Sequence, residues 1–133
     1  MARRLATCGT TRSSSPLTAP AFLHLADGMT HIRILLNCPD LDTARRIAAA
    51  LLDERLVACA NIYPQVESHY VWQNAREVET EVPLALKTRA DLFDRIKARL
   101  GELHPYEVPP LVALPLVAIH RPFAAWVDEM TGA

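Results

Sequence analysis

The sequence predicts an α+β sandwich: one antiparallel sheet of four strands, two helices, and a short terminal helix, in the order β-α-β-β-α-β-α. Three observations carry this reading. Apolar residues recur at helical spacing over residues 41–55 and again over 92–103, with strand-like runs on either side. The two central strand-like runs have no helix between them, so they fold back as a hairpin. Right-handed crossovers around that hairpin then give a ferredoxin-like split βαβ arrangement with the first, second, third and fourth strands in the order 4-1-3-2.

Residues 32–36 are apolar except for Arg33 and predict a buried strand that ends at Pro39-Asp40. Asp40 is the expected N-cap of the first helix, because its carboxylate can accept from the free amides of the following turn. Leu41, Ala44, Ile47, Ala48, Leu51 and Leu52 form that helix's apolar stripe, which runs to about Arg55. Residues 57–62 and 66–73 predict a strand interrupted at Pro64, with Asn74-Ala75 as the turn. In the third strand Val78, Thr80, Val82, Leu84 and Leu86 alternate with Glu77, Glu79 and Glu81, which places the glutamates on the opposite, solvated face. Its register is open: a two-residue loop pairs Trp72 with Glu77, and a three-residue loop pairs it with Val78.

Thr88 and Asp91 resemble a capping box opening the second helix, whose stripe is Leu92, Phe93, Ile96, Leu100 and Leu103 and whose end Gly101 and Pro105 bracket. Residues 111–119 predict the last strand, with Pro115 marking an edge or a bulge. Pro122 suits the first turn of the terminal helix, with Phe123, Trp126, Val127 and Met130 on one side.

Composition narrows the function. The 133 residues are 50% hydrophobic and 22% charged, the balance of one folded domain. The formal charge of −1 supplies no basic field for a nucleic-acid backbone. The longest apolar stretch, 108–119, is far below the roughly 20 residues a spanning helix needs, and three prolines break it. No nucleic-acid or membrane partner is therefore expected. Cys8, Cys38 and Cys59 form neither a disulfide framework nor a CxxC pattern, which fits a reducing cytoplasm. Residues 1–28 hold Arg3, Arg4, Arg12 and a Ser run, with Asp27 their sole acid, and show no sustained period. They read as a disordered tail, a leader or an overlong start, with the folded domain at 29–133.

Once the elements are placed, five motifs in order carry a resemblance. They are Leu36-Asn37-Cys38-Pro39-Asp40; Leu56-Val57-Ala58-Cys59-Ala60-Asn61-Ile62; Tyr70-Val71-Trp72; Glu79-Thr80-Glu81-Val82 with Leu86-Lys87-Thr88; and His104-Pro105-Tyr106-Glu107-Val108-Pro109. Over residues 31–130 the chain resembles the CutA, or divalent-cation tolerance, family. The resemblance implies the ferredoxin-like fold, a PII-like homotrimer whose long hairpins pack against neighbouring subunits, and a part in metal-ion tolerance. Copper-associated members carry a Cys at the end of strand 1 and a His pair before Pro-Tyr. Here those positions are Leu36, Leu103 and His104, so one of three candidate ligands is kept.

Cys38 and His104, with Glu107 nearby, are the candidate metal ligands, since thiolate and imidazole suit copper or zinc. Against that stands a small buried thiol and a loop-capping His. Glu77, Glu79 and Glu81 could share a hard cation between subunits, or simply be solvated or ion-paired across an interface. Tyr70, Trp72, Glu79, Glu81 and Lys87 are the intersubunit cleft candidates, with the aromatics as interface anchors. GxSxG, HExxH and P-loop patterns are all missing from the sequence, and no nucleophile is placed beside a base. The expected protein is thus a non-enzymatic cytoplasmic homotrimer that binds copper or another divalent cation weakly. The alternatives are a PII-like sensor of an anion or nucleotide at the intersubunit cleft, and a ligand-free scaffold. Limited proteolysis is expected to trim the chain to near Met29 with the oligomer intact; an N-terminus that resists cleavage would contradict the tail reading.

Overall fold

The computed structural model describes residues 29–132; the expectation for residues 1–28 lies outside them. The elements are β1 (His31–Cys38), α1 (Leu41–Asp53), β2 (Cys59–Ile62), β3 (Val66–Trp72), β4 (Ala75–Arg89), α2 (Phe93–Leu103), β5 (Val112–Pro115) and α3 (Arg121–Met130). The sheet runs β2-β4-β1-β5, all antiparallel, and β3 pairs with the outer part of β4. This is the 4-1-3-2 order, with the second strand divided into β2 and β3.

Alternation on β1 and β4 builds the core. Ile32, Ile34, Leu36 and Cys38 face the helices from β1, beside Val82, Leu84 and Leu86 of β4. Ala44, Ile47 and Leu51 of α1 and Ile96 and Leu100 of α2 close over them. Burying a Leu or Ile side chain is worth about 1.5–3 kcal/mol, so this stripe dominates the stability. The opposite parity of the sheet holds α3: His31 Nε2 meets Asp128 Oδ1 at 2.8 Å, and Arg89 Nε donates to Thr131 Oγ1 at 2.9 Å.

Helix ends follow local chemistry. Asp40 caps α1 as expected, its carboxylate accepting from Thr43 N at 2.7 Å. The other end closes in a Schellman motif, with Leu56 N donating to Leu51 O at 2.9 Å and Arg55 N to Leu52 O at 3.1 Å. Arg55 therefore sits at φ 57°, where glycine is usual.

Three expectations are corrected. The hairpin turn is Gln73-Asn74, at φ 48° and 63°, and not Asn74-Ala75, so Trp72 pairs with Ala75 and Tyr70 with Glu77. Two consecutive positive φ values are what a two-residue turn of the I′ kind demands, and they match the strand twist. Thr88 does not cap α2: it remains in β4, fully buried, and its hydroxyl donates to Leu56 O at 2.6 Å. A single 3-10 turn, Ala90–Leu92, leads into α2 instead, and the helix ends at Leu103, between Gly101 and Pro105 as the sequence predicts. The last strand is shorter than the expected 111–119: it spans Val112–Pro115, and one further bond to β1, from Leu116 N to His31 O at 3.0 Å, follows it.

Arg55→Gly is expected to stabilise the protein by about 0.5–1 kcal/mol, since the left-handed backbone no longer strains a Cβ. The denaturant midpoint at fixed protein concentration checks this; an unchanged or lower midpoint would contradict it.

Candidate functional site

β4 outruns the helices. Cys38, the last residue of β1, pairs with Val82, and from there β4 continues on the order of 23 Å to the turn. Past Val82 the two faces exchange roles. Val78 is 54% exposed and Thr80 is exposed, because no helix covers them. On the other face Glu77 and Glu79 are half-buried and Glu81 is only 7% exposed. The expectation that these glutamates form a solvated face is overturned at Glu81.

The loop after α2 buries it. Tyr106 lies over this part of the sheet, and its hydroxyl donates to Glu81 Oε2 at 2.8 Å. Asn37 Nδ2 approaches Glu81 Oε1 at 3.4 Å. Burial, the bond to Glu81 and the charges of Glu81 and Glu79 together raise the Tyr106 phenol well above its ordinary value. Tyr70 is also raised, by burial first and then by Glu79, Glu77 and Glu81.

Asn37, Ser68, Tyr70, Trp72, Glu79, Glu81, Tyr106 and Pro110 are among the residues lining a cleft of about 430 Å3. Of the sequence candidates, Tyr70, Trp72, Glu79 and Glu81 meet here. Lys87 does not: it faces Cys59 and Arg33 across the sheet, and its Nζ donates to Asn61 Oδ1 at 3.3 Å. No local sequence pattern marks Tyr106 and Asn37 as cleft residues. Their signal was the topology, which brings the loop after α2 beside the end of β1.

That same topology brings His104 to the end of β1, where its ring meets the backbone of Asn37. His104 Nε2 donates to Asn37 O at 2.8 Å, and Tyr106 N donates to His104 Nδ1 at 3.1 Å, so both ring nitrogens are engaged. Burial holds the imidazole below its ordinary value, against the opposing pull of the Asn37 carbonyl and the Glu81 charge. Cys38 is 0% exposed. Its thiol is pushed up to about 12, first by burial and then by the Asp40 and Glu81 charges, with Arg46 acting the other way. Glu107 is exposed and belongs to a separate groove beside Phe93, Lys97 and Leu100 of α2. Cys59 is half-buried and faces Lys87, away from Cys38. Among the described residues no group of three or more His, Cys, Asp or Glu side chains is placed to hold a metal ion.

The β2-β4-β1-β5 sheet, the long β3-β4 hairpin and the acidic, aromatic cleft beside it define a class of ferredoxin-like α+β proteins. The chain belongs to one family of that class: residues 32–130 match the model of the CutA1 divalent ion tolerance protein. It is 42% identical over 99 residues to the divalent-cation tolerance protein CutA of Thermus thermophilus, covering 74% of this chain and 96% of that one. It is 35% identical over 96 residues to mouse Protein CutA, covering 72% of this chain and about half, 54%, of the mouse protein. The crystal structure of CutA1 from a psychrotrophic Shewanella superposes with a TM-score of 0.76 at 35% identity, covering 78% of this chain and 97% of that chain.

The pKa directions give a pH dependence with opposite signs at its two ends. His104 is depressed in the folded state, so its contribution is present above pH 6.5 and is lost as pH falls through the folded value. Cys38 is raised, so its contribution is present below pH 9.0 and is lost as pH rises toward about 12. His104→Leu is expected to flatten the acid limb of the stability profile. It should also cost about 1–3 kcal/mol at neutral pH by stranding Asn37 O and Tyr106 N–H. At pH 8 a thiol reagent is expected to modify Cys59 well before Cys38. Equal rates would show that the Cys38 thiol is accessible and ionisable.

Proposed function

We propose that this chain is a homotrimeric, non-enzymatic cytoplasmic protein of the divalent-cation response whose hairpin cleft selects cations. The observation that carries this is Glu81: a carboxylate only 7% exposed whose two hydrogen-bond partners, Tyr106 and Asn37, are both neutral. A buried charge of one sign with neutral partners favours a ligand of the other sign. An anion or nucleotide would instead meet Glu79 and Glu81, which weighs against the PII-like anion-sensor reading.

Copper has a place in this reading as a weakly held ligand of Cys38 and His104. A neutral thiol must lose its proton, and the imidazole must surrender a hydrogen bond, before either coordinates. A homotrimer is supported by the apolar surface that one copy leaves bare: Val71 at 69% and Val78 at 54% on the hairpin, and Val112 at 53% on the edge strand β5. A reducing compartment is supported by the free thiols of Cys38 and Cys59.

Sedimentation of the full chain is expected to give three subunits at micromolar concentration, and a folded monomer would count against the assembly. In thermal-shift titrations, Mn2+ and Zn2+ are expected to raise the melting temperature modestly and ATP to leave it unchanged. The Glu79→Gln, Glu81→Gln double variant should lose that response. The Cu(I) response should be lost in Cys38→Ser and kept in Cys59→Ser. A shift with ATP and none with any cation would overturn the sign of the cleft, and no shift with either would leave a scaffold.

A further inference from the structure

The cleft is more than acidic. Tyr70, Trp72 and Tyr106 contribute aromatic rings to the same space as Glu79 and Glu81. Its volume of about 430 Å3 falls within the range of small-molecule sites, roughly 300–1,000 Å3. A bare metal ion uses little of this. Mg2+ and Ca2+ seek six or more oxygen ligands, whereas aromatic rings offer faces. Those faces attract a cation electrostatically and cover apolar carbon equally well.

Glu81 sets the second requirement. An ionised carboxylate accepts at about four positions, and Tyr106 and Asn37 occupy two. The remaining lone pairs are suited to N–H donors, and a charged donor makes the stronger bond. His69, which also lines the cleft, is 2.8 Å from Glu67 and engaged there.

We infer that the hairpin cleft binds a small organic cation, with an N–H-bearing ammonium group on Glu81 and Glu79 and an apolar body among Tyr70, Trp72 and Tyr106. This rests on the cation-selective cleft proposed above and names the class of its ligand. The charge supplies what Glu81 lacks, and the body supplies what the rings cover.

The test uses the full chain carrying Trp126→Phe, so that Trp72 in the cleft is the sole tryptophan reporter; Trp126 lies on α3. Phenethylammonium is titrated by fluorescence beside 2-phenylethanol, which has a neutral hydroxyl in place of the ammonium group, and beside Mn2+. Phenethylammonium is expected to give a saturable change, with 2-phenylethanol binding at least about tenfold more weakly. Glu81→Gln is expected to weaken phenethylammonium about tenfold or more. Glu79→Gln, at a half-buried position less prone to unfold the protein, should weaken it several-fold, and Tyr70→Leu should do the same. Equal binding of ammonium and alcohol would overturn the proposal, leaving an apolar hole. Binding of Mn2+ without phenethylammonium would overturn it while sparing the cation-selective cleft. Binding of neither, with Trp72 shielded from a neutral quencher, would overturn both and make the cleft a seat for another copy of the chain.

Discussion

The length of β4 is the constraint on which the rest depends. It serves β1 and β2 along its C-terminal part and β3 along its N-terminal part, so each of these pairings is read from one fifteen-residue strand. The helices cover only the inner part, up to Val82. A strand buried on one face by helices must lose that cover when it passes beyond them. What lies under a helix at Leu84 therefore lies in the open at Val78, and what should be wet at Glu81 can be sealed by a loop.

The seal is a relay of hydrogen bonds rather than an apolar contact. The Asn37 carbonyl at the end of β1 fixes the His104 ring, and the ring accepts from the Tyr106 amide. The Tyr106 hydroxyl, in turn, reaches Glu81 on β4. The His104 and Tyr106 rings stand 4.7 Å apart, so the loop is stiffened by packing as well. Three segments distant in sequence are thereby joined through His104 and Tyr106. This arrangement accounts for a His at this position without invoking a metal.

Much of the fold could be read from residue patterns, and the failures share a cause. Asp40 capped its helix because capping is local, and the strand order followed from the handedness of connections. Thr88 is ambiguous in the sequence because a Thr three residues before an Asp looks the same whether its hydroxyl faces a helix amide or, as here, a distant carbonyl at Leu56. The turn was misplaced because Gln73 is an uncommon residue at positive φ, while Asn74 advertises it. The glutamate alternation gave the right parity, but parity does not say which face is covered. Tyr106 decides that, from a loop twenty-five residues further along the chain. Likewise Cys38 and His104 were placed at the correct end of the sheet, yet their chemistry depends on Asn37 and on depth, neither of which has a periodicity.

The hairpin also bears on the order in which the molecule assembles. β3 and β4 are joined by two residues, so their pairing closes a short loop, an event of roughly microseconds for an isolated hairpin. β1 meets β4 only after the intervening helix and hairpin have been looped out, from His31 against Arg89 to Cys38 against Val82, and such distant pairings are slow. The segment that carries Glu81 can thus acquire its strand partner early, while Asn37 and Tyr106 arrive late. On that order of events the carboxylate would keep its hydration until β1 and the loop after α2 come to rest, and its desolvation would fall late in folding.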